Sequence, residues 1–355
     1  MKKLTDLIKQ HQIIAFFVIT FMITGGLGFS YGSVMNNGNE LLIPLAFIAT
    51  CGPALAGIIV TAVSNTQPRQ GTRKAFWAAF IAAWVVSTLV FLANNIFINQ
   101  APFSIGMAIF VFIAVAPVAF VISMAFSRNP AVKRYVSSLI RLRGVWGWAL
   151  LALVLVPLAV LLSIVICNIL GRQSYAVHQF SATGLVLIGL IVVKFLYQLF
   201  FFNATGEEVG WRGFALPRLQ SITSPLVACL LINLIWPLWH VFYWVAEGKP
   251  ILSPGYWGHT YLELLPATVI ICWLYNRSKG SILVAGITHA AANTAYAFFP
   301  NLDWQVFDWT VAVVALVLVL VDRMWKKLPP DHPAVYSLPG PAAQPSVEPT
   351  PTLAP

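Results

Sequence analysis

Side chains that could carry acid–base or metal chemistry are concentrated between residues 203 and 293 of an otherwise apolar chain. An ionisable group inside a bilayer costs several kcal/mol unless it is paired or hydrated, so such groups persist mainly where they function. These residues are therefore the first candidates for a functional site. The set comprises Glu207, Glu208, Arg212, Asn233, His240, Glu263, His289 and Asn293.

The segment 204–219 is the densest part of this set. If the segment is helical, Glu208 and Arg212 are one turn apart on the same face, in the order that favours an ion pair. Glu207 points about 100° away from them and has no local partner. The alternative interpretation is a solvated acidic pair at an interfacial helix end.

His240 and His289 lie in two further apolar segments. Trp236 precedes His240 by one helical turn, and Pro237 between them can kink the helix. Asn293 follows His289 by one turn, and the three alanines between them allow another helix to approach closely. A hydrogen-bonded packing histidine and a polar clamp between helices are the alternatives at these two places.

The candidate residues are expected at similar depths in the membrane. The nearest turns on one side are predicted near Pro217 and Lys279. At about 1.5 Å per residue, Glu207, His240 and His289 lie roughly 14–22 Å from that side. Three neighbouring helices can therefore present a carboxylate, two imidazoles and a carboxamide at one level.

One carboxylate and two imidazoles in a water-accessible cavity support two hydrolytic schemes. In the first, Glu207, His240 and His289 ligate a divalent metal, with zinc as the candidate and a water in the open position. In the second, Glu207 is the general base, while His289 and Asn293 donate to the developing oxyanion. A third interpretation makes the cluster an ion or proton path of a transporter. The compact His-Glu-x-x-His motif of zinc proteases is absent from the sequence.

Three motifs in this region resemble those of the CAAX-protease and bacteriocin-processing family of intramembrane proteases. The family pattern is Glu-Glu-x-x-x-Arg, then an aromatic-x-x-x-His, then His-x-x-x-Asn or Asp, each on its own helix. The likeness covers roughly residues 200–298, with Trp where the family often has Phe in the second motif. The matching stretches are Glu207-Glu208-Val-Gly-Trp-Arg212, Trp236-Pro-Leu-Trp-His240 and His289-Ala-Ala-Ala-Asn293.

The resemblance implies hydrolysis of a peptide bond within the membrane plane. It implies that the first glutamate is catalytic, that the histidine of the second motif orients the water or binds metal, and that the third motif stabilises the oxyanion. The metal-dependent scheme, with zinc, and the metal-free scheme both stay open. The implied catalytic set is Glu207, His240, His289 and Asn293, with Glu208, Arg212 and Trp236 in support.

The implied substrate is a membrane-associated peptide or protein. Prenylated C-terminal peptides are the eukaryotic substrates of the family, whereas a bacterial member is expected to act on a peptide precursor, a bacteriocin or a membrane-bound regulator. The basic start and the short loops favour a bacterial chain, and hence the bacterial plasma membrane. A non-catalytic immunity or scaffold role is the alternative, and the complete set of motif residues favours an enzyme over it.

The helices that must position these residues follow from composition. Of 355 residues, 59% are hydrophobic and 9% charged, and the mean hydropathy is +0.81, which excludes a water-soluble fold. A bilayer core needs about 20 apolar residues per helix, so the uncharged runs predict an all-α, polytopic transmembrane helix bundle of about ten spans. The predicted spans are 12–32, 41–63, 75–97, 104–126, 147–170, 184–216, 225–246, 260–276, 280–299 and 305–322.

Basic residues predict the orientation of the bundle. Of the 21 Lys and Arg residues, 17 fall on one side of these spans, and an even number of spans then places both termini in the cytoplasm. The net charge of +10 therefore favours contact with the lipid bilayer, and it does not indicate a nucleic-acid partner.

The chain divides into three predicted regions. Residues 1–180 hold about five N-terminal transmembrane helices that contain no functional motif. Residues 181–325 form the catalytic transmembrane core. Residues 326–355 are rich in Pro, Ala, Ser and Thr and predict a disordered cytoplasmic tail.

Overall fold

The regular structure of the described part of the chain is entirely helical. The computed structural model describes residues 2–38, 40–65, 67–172 and 182–336, and it contains no strand in these ranges. A bilayer offers no water to backbone polar groups, and helices satisfy these groups internally. The predicted all-α, polytopic bundle is confirmed. The α-helices are α1 (Lys2–Gln10), α2 (Gln12–Asn37), α3 (Ile43–Thr50), α4 (Gly52–Ser64), α5 (Arg73–Ala93), α6 (Ile105–Ala114), α7 (Ala116–Ser123), α8 (Pro130–Val136), α9 (Trp146–Ile169), α10 (Gly184–Gln198), α11 (Leu216–Ile222), α12 (Pro225–Ala246), α13 (Tyr256–Arg277), α14 (Ile282–Phe298) and α15 (Trp304–Val321).

Within the described ranges, seven helical stretches are long and apolar enough to cross a membrane. The shortest of them is Trp304–Val321, with 18 residues. Helices α3 and α4 are bent by 60° at a break, and together they would form an eighth span. Helix α14 has only 17 residues, and α13 is less apolar because it carries His259 and Glu263. Each predicted span falls on helix, while the count of ten and the cytoplasmic termini stay predictions.

Residues 184–222 form one continuous helical run that joins α10 to α11. The run contains two π-helical turns, Leu199–Glu208 and Trp211–Ala215. Such turns widen a helix locally and are frequent at functional sites. Both neighbouring glutamates lie in the first π-helical turn, where they can face different helices.

Glycines let this helical run pack directly against the bend between α3 and α4. A Cβ atom added at Gly206 would lie 2.9 Å from the carbonyl oxygen of Thr50. A Cβ atom added at Gly210 would lie 2.5 Å from the carbonyl carbon of Pro53, in the first turn of α4. The N-terminal spans, which have no motif of their own, therefore contact the helix on both sides of Glu207.

Gly210→Ala is expected to lower the free energy of unfolding by about 1–3 kcal/mol, the usual cost of overpacking a close contact. The added methyl group would meet backbone atoms of Pro53, which cannot rotate away. Gly189→Ala in α10 is the matched control, because a Cβ atom there meets nothing within 4 Å. Reversible unfolding of both variants in bicelles measures the difference. Equal stability of the two variants would mean that Gly210 does not pack closely against Pro53 of α4.

The chain that follows α15 packs back onto the end of this helical run. The amide of Tyr336 donates to the carbonyl oxygen of Pro217 at 3.0 Å, and Gln220 Nε2 donates to the carbonyl oxygen of Ala334 at 2.8 Å. The guanidinium carbon of Arg218 lies 3.8 Å from the centre of the Tyr336 ring. The predicted tail, 326–355, is therefore packed up to residue 336, and residues 337–355 lie outside the described residues.

Candidate active site

The Trp236 side chain joins the first two predicted motifs. Its indole Nε1 donates a hydrogen bond of 2.6 Å to Glu207 Oε2, and both side chains are buried. Glu207 comes from the first π-helical turn, and Trp236 comes from the middle of α12. The carboxylate that had no local partner thus finds one on another helix.

His240 faces the same carboxylate. Its Nδ1 lies 2.9 Å from the backbone carbonyl oxygen of Trp236, one turn earlier in α12. Because a carbonyl only accepts hydrogen bonds, Nδ1 carries the proton, and Nε2 of the neutral ring is an acceptor. This Nε2 is 3.9 Å from Glu207 Oε2, which is too far for a direct hydrogen bond. Two acceptors therefore face each other across a gap that one water molecule can bridge.

Glu208 connects the first motif to the third. Its Oε1 accepts hydrogen bonds from Arg212 Nη1 at 2.9 Å and from His289 Nδ1 at 2.8 Å. The side chains of Glu208 and Arg212 are fully buried. The ion pair that the i,i+4 spacing favours is present, and His289 is an additional member of it. The hydrogen bond leaves Nε2 as the ring nitrogen of His289 that faces away from Glu208.

The Trp236 ring is the packing surface shared by these groups. Its centroid lies 5.4 Å from that of the His240 ring and 5.3 Å from that of the His289 ring. The guanidinium of Arg212 lies 4.8 Å from the centre of the same ring. One side chain thus contacts groups from three helices and also binds the Glu207 carboxylate.

Comparison with known proteins agrees with this arrangement. The profile of the Rce1-like Type II CAAX prenyl endopeptidases matches residues 189–295, which contain all three motifs. The chain is also 27% identical over 256 residues to the CAAX prenyl protease 2 of Methanococcus maripaludis, a match that covers 69% of this chain and 93% of the relative. Both matches support the resemblance of the chain to the CAAX-protease and bacteriocin-processing family. They indicate that the chain is an intramembrane endopeptidase.

The match to the archaeal relative also extends the likeness along the chain. It spans 256 residues, which is more than the predicted core of the protease, 181–325, can hold. Part of the N-terminal region, 1–180, is therefore included in the match. This finding fits the direct contact between the bend of α3 and α4 and the helix that carries Glu207.

A cavity of about 120 Å³ lies beside the second and third motifs of the protease. His289 and Trp236 form part of its wall. Asn293, the fourth predicted catalytic residue, lies on the same wall one turn beyond His289 in α14. The rest of the lining is mainly apolar and comes from α9, α13, α14 and α15. It includes Leu155, Val156, Leu264, Ala267, Ile271 and Phe307.

The predicted metal ligands of the protease do not form a three-ligand site. Among the described residues, no group of three His, Cys, Asp or Glu side chains is placed to hold an ion. His289 uses Nδ1 for its bond to Glu208, while Glu207 Oε2 accepts from Trp236. Glu207 and His240 are close, but His289 does not join them as a third ligand. The donor set therefore does not fit the usual tetrahedral zinc site.

Two contacts at the site of the protease were not predicted, although the sequence held a signal for each. A buried indole N–H needs an acceptor, so Trp236 in place of the usual Phe signals a hydrogen bond such as that to Glu207. The spacing Gly206-x-x-x-Gly210 is typical of helices that pack closely in membranes. It signals the contact with Thr50 and Pro53.

Proposed function

We propose that this protease hydrolyses a peptide bond of a membrane-associated peptide or protein with a water molecule that Glu207 deprotonates. The proposal rests on the separation of 3.9 Å between Glu207 Oε2 and His240 Nε2. A water that donates one hydrogen bond to each acceptor bridges this gap, and its lone pairs then point away from both. Glu207 takes one proton as the water oxygen attacks the carbonyl carbon, and His240 holds the water in place. The protonated Glu207 then gives this proton to the amine nitrogen as the C–N bond breaks.

His289 and Asn293 are assigned to the developing oxyanion. Glu208 accepts the Nδ1–H of His289, so the imidazolium form of this ring offers Nε2–H on its other side. The Asn293 amide supplies a second donor from the wall of the same cavity. Donors that are fixed before the reaction need no reorganisation as negative charge develops. His240 is not assigned this role, because its Nε2 faces Glu207 and its side chain does not line the cavity that His289 and Asn293 line.

The cavity is proposed to receive an apolar part of the substrate. Its volume of about 120 Å³ and its largely apolar lining suit an aliphatic side chain or part of a lipid-like chain. The matching family profile and the archaeal relative are both named for CAAX prenyl substrates. A peptide with a lipophilic group beside the scissile bond is therefore the proposed substrate.

Cleavage of a fluorescence-quenched peptide with a farnesylated C-terminal cysteine motif is the direct test. Full-length protein in phosphatidylcholine liposomes is expected to cleave it with kcat/KM about tenfold or more above that of the unfarnesylated peptide, since apolar contacts supply binding energy. Ala267→Phe fills the cavity and should raise KM severalfold. Ala78→Phe, on the exposed surface of α5, is the matched control.

These measurements test the proposed hydrolysis and the proposed role of the cavity in substrate binding separately. If neither peptide is cleaved by the folded wild-type protein, the proposed reaction is wrong. If both peptides are cleaved equally and Ala267→Phe leaves KM unchanged, only the assignment of the cavity is wrong.

Removal of divalent metal is expected to leave cleavage unchanged within about twofold, because water activation by Glu207 needs only a positioned base. The purified protein is dialysed against a strong chelator, and its metal content is measured beside the rate of peptide cleavage. Rates are compared before chelation, after it, and after zinc is added back. Loss of cleavage that zinc restores would contradict the metal-free scheme and would require His289 to turn away from Glu208.

A further inference from the structure

A second cavity, of about 380 Å³, lies at the end of the bundle where α4 ends and where α11 and α14 begin. It is separate from the cavity beside His289, because the two share no lining residue. One wall consists of residues 330–336, which pack back onto the bundle after α15. The surrounding segments, 127–143 and 277–281, belong to the side that the basic residues predict to be cytoplasmic.

The charge of this second cavity is strongly unbalanced. Four cationic side chains line it, against the single carboxylate of Asp331. Three of the four are exposed, and none of them forms an ion pair with another residue in the described part of the chain. The four are Arg134, Arg141, Arg218 and Lys279.

Arg218 is the buried member of this group. Only 6% of the residue is exposed, and its guanidinium carbon lies 3.6 Å from the centre of the Phe214 ring and 3.8 Å from that of the Tyr336 ring. Its Nε donates to Gln12 Oε1, and Nη1 donates to the carbonyl oxygen of Phe214. All these partners are neutral. Buried charges are normally paired with an opposite charge, yet among the described residues no carboxylate forms an ion pair with Arg218, so an anionic ligand could supply this missing partner.

We infer that this cavity binds the phosphate group of an anionic ligand, either a phospholipid headgroup at the membrane surface or free phosphate. Guanidinium groups match phosphate oxygens with two parallel hydrogen bonds, and arginine is the residue best suited to such contacts. Headgroups of anionic lipids are concentrated at this level of a bilayer and are attracted by clustered basic residues. A bound phosphate would neutralise Arg218 at the end of the helical run that carries Glu207, and it would hold residues 330–336 in place.

The test uses full-length protein in nanodiscs of phosphatidylcholine, with or without phosphatidylglycerol, and inorganic phosphate titrated into the phosphatidylcholine discs. Native mass spectrometry counts retained lipid, and thermal unfolding reports stabilisation. The triple variant R134Q/R141Q/K279Q removes the exposed cations of the cavity and keeps Arg218. The matched control R69Q/R73Q/K74Q removes the same number of arginines and lysines from an exposed segment that does not line the cavity.

Wild type and control should bind the anion with a saturable rise in thermal stability, and the triple variant should bind it about tenfold or more weakly. Stabilisation by phosphatidylglycerol alone would identify a lipid headgroup, and stabilisation by inorganic phosphate alone would identify a free anion at the same place. An equal loss in the control and the triple variant, or no stabilisation of wild type by either probe, would overturn the inference. Neither lipid retention nor thermal unfolding depends on proteolysis, so the test of the anion site can fail or succeed independently of the proposed reaction.

Discussion

Glu207→Gln should lower kcat for peptide cleavage by about 10²–10⁴-fold, the usual contribution of a general base. The glutamine carbonyl oxygen can still accept the hydrogen bond from Trp236 Nε1, so the buried contact and the folded state should persist. An amide cannot take a proton from the bridging water, so the loss should fall on kcat. The cleavage assay, together with thermal unfolding of the same samples, measures both properties.

Glu247→Gln is the matched control for this substitution. Glu247 is exposed at the end of α12 and accepts a hydrogen bond of 3.1 Å from the hydroxyl of Tyr31. Its replacement should leave kcat and KM unchanged. If Glu207→Gln cleaved the peptide at a rate close to that of Glu247→Gln, Glu207 would not be the base, and the proposed mechanism would fail.

Arg212→Leu should lower the free energy of unfolding by about 3–5 kcal/mol, because it removes one partner of a fully buried ion pair. The network is not fully satisfied even in the wild type. Glu208 Oε2 and the Nε and Nη2 atoms of Arg212 have no hydrogen-bond partner in the described part of the chain. Removal of both charges in Glu208→Leu/Arg212→Leu should therefore recover most of the lost stability.

The double variant should regain stability without regaining the rate of peptide cleavage. The double variant still removes the acceptor that holds His289 Nδ1, so its kcat should stay far below that of wild type. Arg172→Leu is the control for loss of an arginine ion pair. Its partner is Asp303 at 2.7 Å, and 47% of the arginine side chain is exposed, so the cost should be at most about 1 kcal/mol. A double variant that is both stable and fully active would show that Glu208 does not position His289.

Contacts within one helix were predictable from the sequence, because the helical repeat fixes which side chains meet. The spacing of Glu208 and Arg212 predicted their ion pair, and the structure confirms it. The spacing of Trp236 and His240 placed them on one face, and the His240 ring indeed bonds the Trp236 carbonyl one turn earlier. The all-α class followed equally from long apolar runs, since a bilayer leaves the chain few other ways to satisfy its backbone.

Contacts between helices were beyond prediction from spacing, because they depend on where the helices bend and how closely they approach. Depth in the membrane indicated that Glu207 and the two histidines lie at one level, but not which atoms face each other. The two glutamates have different hydrogen-bond partners, since Glu207 accepts from Trp236 and Glu208 accepts from His289. Only the folded chain shows this difference. The three-ligand metal set was compatible with the sequence, yet those donors do not converge among the described residues.

The sequence by itself thus determined the class of fold, the three motifs and the local pairs within each helix, because these depend on hydropathy and on the 3.6-residue repeat. Tertiary structure alone decided how the motifs combine. The π-helical turn Leu199–Glu208 directs adjacent glutamates to different helices, and the contact of Gly210 with Pro53 sets the position of that turn. Such arrangements depend on close packing between segments far apart in the chain, which no local pattern encodes.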